Sequence, residues 1–200
     1  MAADQLMAIT LVLASGSAAR LRVLRDAGLD PEVVVSGVDE GVDAVDTPTA
    51  VSTLARRKAL AVAERRPHAL VIGCDSMLEA DGLSLGKPAS ADQARSWCRR
   101  LRGQEAALYT GHCLVDVDGR ALSEVAATRV RFATTTDAEI DAYVATGEPL
   151  AMAGAFSLEG LAAPFIDSID GDPSNVIGLS LPLLRRMLAQ IGVAITDLWR

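Results

Sequence analysis

The sequence predicts an α/β fold built on a mixed sheet, and three observations carry that reading. Short apolar runs alternate with stretches of helical spacing along the chain. Two Asp-Gly pairs, Asp81-Gly82 and Asp118-Gly119, break this rhythm with tight hairpins, so the sheet is not all parallel. Half of the residues are apolar but only 4% are aromatic, which requires an aliphatic core of Ala, Val, Leu and Ile. There is no internal repeat, low-complexity tract or linker-like stretch, and residues 1–200 are expected to form a single domain.

Residues 9–14 form an apolar run fitting a buried strand, and Ser15-Gly16-Ser17 leads from it into a helix over 18–27 closed by Gly28. Residues 32–36 alternate like a strand. An acidic, Gly-containing loop follows over 37–46. Thr47-Pro48 opens a helix to about Arg66, with Thr47 expected as its N-cap. Residues 69–74 read as the next buried strand, and Asp81-Gly82 turns between strands at 77–80 and 83–85. Ser90 caps a helix ending near Gly103, and Asp118-Gly119 marks the second hairpin. Thr136 and Glu139 form a capping box for a helix stopping at Gly147, and residues 182–190 make a last helix.

The net charge of −7 and a pI near 4.8 argue against nucleic acid as a partner, though not against a small anion in a local positive pocket. No run approaches the apolar length of a membrane span. The opening MAADQLMAITLVLAS has no basic n-region and reads as a strand rather than a leader. Cys74, Cys98 and Cys113 form an odd set with no C-x-x-C pair, which suggests buried free thiols in a reducing cytoplasm. Two histidines are too few for a His-rich zinc site, so any metal is expected to be a carboxylate-held Mg²⁺ or Mn²⁺.

The chemistry-bearing residues stand out by type. Of nineteen basic residues only Lys58 and Lys87 are lysines. A compact ammonium and a planar guanidinium fork are not interchangeable at a phosphate site. Ser15, Gly16 and Ser17 let backbone approach a ligand at a helix N-terminus, where Arg20 adds a fork one turn in. A Ser-capped helix with a solvated Arg would read the same way. Asp75 follows the apolar run VIGC and is expected where that strand opens into a loop, as general base or metal ligand, or merely as a turn cap. Lys87, in Gly86-Lys87-Pro88, returns toward it along the hairpin. Glu40 offers a metal carboxylate, and Glu159 lies in a Gly-bounded segment suited to close approach of a planar ligand.

Three other patterns do not hold. Residues 82–87 fall one spacer short of a P-loop and carry Pro88 where Ser or Thr belongs. The G-x-S-x-G match around Ser84 lies in a hairpin rather than a strand-to-helix turn. Residues 167–172 have the composition of a calcium loop but not its spacing.

Together these pieces resemble the Maf family of nucleotide pyrophosphatases. The resemblance lies in LASGSAAR (13–20), VDE (38–40), LARRKALAVA (54–63), VIGCDSMLEADGLSLGKP (71–88), YTGHCLV (109–115), TGEPLAMAGAFSLEG (146–160) and FIDSIDGDPSNVIGLSLPLL (165–184). It implies an elongated mixed sheet flanked by helices, inosine-triphosphatase-like, and metal-dependent hydrolysis of a nucleoside triphosphate to the monophosphate and diphosphate. It implies Asp75 as proton acceptor and Ser15, Arg20, Glu40, Lys58 and Lys87 as phosphate- and metal-binding positions, with Ser17 in the same loop. A homodimer is a further expectation of the family. Ala18, Ala19, Met152, Phe156 and Glu159 depart from the members that favour dTTP and UTP. Glu159 resembles the branch acting on 7-methyl-GTP, which carries Trp where this chain has Ala19. A nucleotide-sensing regulator of cell division with little catalysis is the alternative, and an esterase using Ser84 a third.

Overall fold

The computed structural model describes residues 9–200. The expectation that the chain opens without a leader falls partly on residues 1–8, which lie outside the described residues.

A seven-stranded mixed sheet runs in the order β2-β1-β3-β5-β6-β7, with β4 off this path against β3. The strands are β1 (Leu11–Leu13), β2 (Glu32–Val33), β3 (Leu70–Ala80), β4 (Leu83–Leu85), β5 (Glu105–Val115), β6 (Ala121–Phe132) and β7 (Ile166–Asp170). The helices are α1 (Ala18–Asp26), α2 (Thr47–Ala63), α3 (Ala91–Leu101), α4 (Asp137–Ala145), α5 (Pro173–Ile177) and α6 (Leu181–Gln190). β1 pairs in parallel with β2 and β3, and all the other pairings are antiparallel. The mixed character expected from the two hairpins is therefore present. At the first hairpin Asp81 and Gly82 both take positive φ, the geometry a two-residue turn requires.

Side-chain alternation along β3 divides the core. Leu70, Ile72 and Cys74 join Leu13, Leu24, Leu114 and Leu184 on the α1/α6 face. Val71 joins Val12, Ala55, Ala59 and Cys113 under α2. Farther along, Leu78 packs with Leu108, Val130, Phe132 and Phe156 in a separate cluster. Each fully buried Leu or Ile contributes roughly 1.5–3 kcal/mol of transfer free energy.

α2 lies directly on the sheet because two strand positions have no side chain. A Cβ on Gly73 would come 2.7 Å from the Ala59 nitrogen, and one on Gly111 would come 2.7 Å from the Ser52 nitrogen. Both would drive into helix backbone, which cannot yield as a flexible side chain would.

Several expectations need correction. The N-cap of α2 is Asp46, whose carboxylate accepts from Thr49 N at 2.7 Å. Thr47 is the first helical residue and lies buried against Glu79 and Ser84. The strand expected to end at Cys74 continues to Ala80 because β5 pairs with it from Val71 through Glu79. Asp75 thus lies inside a strand, not at its end. β7 and α5 were not anticipated; their segment is short and rich in Asp, and its pairing with β6 decides the strand. No helix among the described residues is long and apolar enough to cross a membrane.

Candidate active site

The site is a notch in the sheet. On one edge of β3, β1 pairs with Leu70, Val71 and Ile72, while β4 pairs with Leu78, Glu79 and Ala80. Neither reaches residues 73–77. Leu70 N bonds to Thr10 O and Ile72 O accepts from Ala14 N, so even-numbered residues of β3 point their peptide groups toward this edge. Cys74 and Ser76 accordingly present N–H and C=O groups to the notch, and Asp75 between them bonds toward β5.

Asp75 is on the α2 face, the face on which Gly73 meets that helix. Lys58, one turn beyond Leu54 on α2, reaches down to it. Its Nζ lies 2.6 Å from Asp75 Oδ1 and 2.6 Å from Glu40 Oε1. Lys58 and Asp75 are 7% and 8% exposed, so this is a largely desolvated ammonium–carboxylate pair with Glu40 closing it from the solvent side. The hydrogen bond from Lys58 holds the Glu40 carboxyl below the usual glutamate range, against a desolvation that raises it. The nearby charges of Lys58, Lys87 and Arg20 add to the lowering.

α2 also anchors the loop that carries Glu40. Arg57 Nη1 donates to the carbonyls of Asp39 (2.7 Å) and Gly41 (2.9 Å), and Arg65 Nη2 donates to those of Val35 and Ser36. Asp39 spends its carboxylate on Gly41 N at 2.9 Å, leaving Glu40 as the member of the pair that reaches the site.

Arg20 approaches from the other face. Its Nε donates to Gly178 O (2.7 Å), Nη1 to Ser15 Oγ (3.2 Å) and Nη2 to Ser76 Oγ (3.0 Å). A guanidinium has five N–H donors. Three are held by protein among the described residues, which leaves two, one on each terminal nitrogen, for a further acceptor. Ser17 caps α1 by accepting from Arg20 N, and Ser15 also accepts from Ser17 N at 3.2 Å. The two serines therefore shape the turn and help to aim the arginine.

Lys87 is exposed, and among the described residues it makes no ion pair. Its turn is tethered by Gly154 N, which donates to Gly86 O at 2.9 Å, so the segment carrying Glu159 also braces Lys87. Glu159 itself forms an ion pair with Arg22 of α1, a partner the sequence reading missed. Ser15, Ser17 and Arg20 meet β3 at Ser76, Lys58 and Glu40 meet it at Asp75, and Lys87 lies near enough for its charge to act on Glu40. Glu159 bonds to α1 through Arg22.

Ser84 has no hydrolase surroundings. Its Oγ lies 2.6 Å from Thr47 Oγ1, while His112 is buried with both ring nitrogens bonded elsewhere. Asp172, from the segment resembling a calcium loop, is the N-cap of α5. Cys74 and Cys113 are buried and Cys98 is half-buried, all free; burial pushes the Cys74 thiol up to about 12, which makes it inert.

A family model described as Maf-like protein matches residues 10–191. The chain belongs to the Maf family. Curated relatives include a nucleoside triphosphate pyrophosphatase of Streptomyces coelicolor, 58% identical over 193 residues, covering 94% of each chain. Another, of the same description, from Salinispora tropica, is 54% identical over 199 residues, covering 96% of this chain and 88% of its own. A solved nucleoside-triphosphatase / dITP/XTP pyrophosphatase of Mycobacterium abscessus covers 91% of this chain and 94% of its own at 15% identity, with a TM-score of 0.43. That likeness is too loose to add to the strand order. In this Maf chain the notch joins LASGSAAR to VIGCDS at β3.

Proposed function

We propose that this protein hydrolyses nucleoside triphosphates between the α- and β-phosphates, releasing a nucleoside monophosphate and pyrophosphate. The observation that carries the reading is the pair Asp75–Ser76. Adjacent residues of one strand hold the Lys58–Glu40 cluster on one face and the Arg20 fork on the other, beside an open sheet edge. The names of the Streptomyces and Salinispora relatives support the reaction.

In this reading Asp75 orients a water and takes its proton as the water oxygen bonds to the α-phosphorus. The bond from that phosphorus to the bridging oxygen breaks, and pyrophosphate leaves with the negative charge. The free N–H groups of Arg20 and the exposed ammonium of Lys87 hold the phosphates and offset this charge, and the buried ammonium of Lys58, bonded to Asp75 and Glu40, adds its own. Such clamps act by positioning and electrostatics.

The donor set fits a divalent cation. Among the described residues no group of three or more His, Cys, Asp or Glu gathers as a closed cage. Glu40 and Asp75 do meet on a single positive charge, and Mg²⁺ is bound by one or two carboxylates together with substrate phosphates. Glu40 and Asp75 would hold the Mg²⁺ or Mn²⁺, which when bound supplies charge neutralisation on the phosphate oxygens.

We read Glu159 as the base contact. A carboxylate accepts from the N–H edge of guanine and favours a cationic methylated purine, so guanine-type or 7-methylated substrates are the preferred class. A cytoplasmic role in clearing the nucleotide pool suits three free thiols.

The test is pyrophosphate release from dTTP, UTP, CTP, GTP and 7-methyl-GTP, with and without Mn²⁺ or Mg²⁺, beside the Asp75→Asn variant. The expected result is metal-dependent release that falls about 10²–10⁴-fold in the variant while nucleotide binding is kept. A fully active Asp75→Asn enzyme would remove the assignment of the base. Silence of the wild type across the panel would favour a nucleotide-sensing regulator.

A further inference from the structure

On the sheet face away from α2 the two apolar clusters do not meet. β3 gives Cys74 to one and Leu78 to the other, and between them stand Ser76 and its cross-strand partner Thr110 of β5. Around this gap Thr110, His112, Asn175 and Ser180 are buried to 2% exposure or less. Polar groups so deep are costly unless bonded, and apart from Asn175 Oδ1 the side-chain polar atoms of these four residues all find partners, which restricts them to one geometry.

The bonds have a forced direction. Thr110 has a single hydroxyl proton and gives it to Asn175 O at 3.2 Å. Ser76 must therefore donate to Thr110 Oγ1 at 2.9 Å, which leaves Ser76 Oγ as the acceptor for Arg20 Nη2. A second arm begins two residues along β5. His112 Nε2 accepts from Ser180 N at 2.8 Å, so its proton is on Nδ1 and goes to Thr110 O at 3.0 Å. Ser180 lies two residues beyond Gly178, whose carbonyl takes the Arg20 Nε–H. Both arms start on β5 and end on one guanidinium. Gly111, between their origins, faces α2 on the side where Asp75 sits.

We infer that Thr110 and His112 are positioning residues for the reaction: through Ser76 and the Gly178–Ser180 segment they fix the acceptors that aim the remaining N–H pair of Arg20 at the substrate phosphates. The inference rests on the phosphate-binding role proposed above for Arg20. It assigns the tripeptide Thr110-Gly111-His112 two tasks, seating α2 with Lys58 on one face and the arginine fork on the other.

A double-mutant cycle separates this role from mere support of the fold. Thr110→Val keeps the shape and removes the hydroxyl; it is measured in the wild-type and Arg20→Ala backgrounds by the kinetics of pyrophosphate release. Expected is a fall in kcat/KM of about tenfold in the wild-type background and almost none beside Arg20→Ala, because groups acting through one residue are not additive. Thr110→Ser, which restores the hydroxyl, should stay within about twofold of wild type. His112→Gln and the half-buried Ser76→Ala enter the same cycle, so the test survives if Thr110→Val does not fold. Equal losses in both backgrounds, in an active enzyme, would overturn the positioning role and leave the activity standing. A wild type that releases no pyrophosphate from any triphosphate would overturn the activity and this role together.

Discussion

At the residue scale the most exacting contacts belong to side chains that never reach solvent. Burial lowers the His112 pKa to about 4 from its ordinary 6.5. Between these values the unfolded chain binds the proton and the folded chain does not, so stability rises with pH across that window. The His112 contribution is complete above about pH 6.5 and lost as pH falls to about 4, amounting to roughly 3 kcal/mol. Denaturant unfolding from pH 4 to 7 should show this slope, and His112→Gln should flatten its share of it; an unchanged slope would mean that the histidine titrates freely when folded. Arg20→Lys tests the fork. One ammonium has three N–H donors, so it cannot serve Gly178, Ser15 and Ser76 and still offer any to a phosphate, and KM should rise about tenfold or more. A lysine variant with wild-type KM would show that charge alone is needed.

At the element scale β3 and α2 do most of the work, and their legibility in sequence was uneven. The run ending in Cys74 was readable as a strand from its apolar residues, and Asp75 from its abrupt charge. That the strand continues past Asp75 was not readable, because the continuation depends on pairing with β5, a remote segment of the chain, rather than on local pattern. Lys58 was visible as a rare residue type, but its place over Asp75 depends on how closely α2 seats on Gly73 and Gly111. Thr110, His112 and Arg22 went unassigned for the same reason: their partners are remote, 68 residues apart for His112 with Ser180 and 137 for Arg22 with Glu159. Gly73→Ala or Gly111→Ala should cost about 1–3 kcal/mol or more in unfolding measurements, and should lower activity by lifting Lys58. Gly86→Ala, where a Cβ meets nothing within 4 Å, should leave stability nearly unchanged. Equal costs at all three positions would refute the close-seating account.

At the scale of the whole molecule, β3 spans two apolar clusters and the notch lies where they part. Amides that point into the notch have no ladder partner. Those of Cys74 and Ser76 should exchange hydrogen faster than Gly73 and Asp75, which point to β5, and should slow when nucleotide binds. Uniform protection along β3 would mean that the edge is closed in solution. The notch has a consequence beyond catalysis. An unpaired strand edge ordinarily invites another chain to add itself and begin an aggregate. Here the bare stretch is five residues, closed at both ends by β1 and β4, so an added strand could not extend along the edge. In the proposed reading, bound nucleotide would cover the unpaired peptide groups of this edge and remove the opening for another chain.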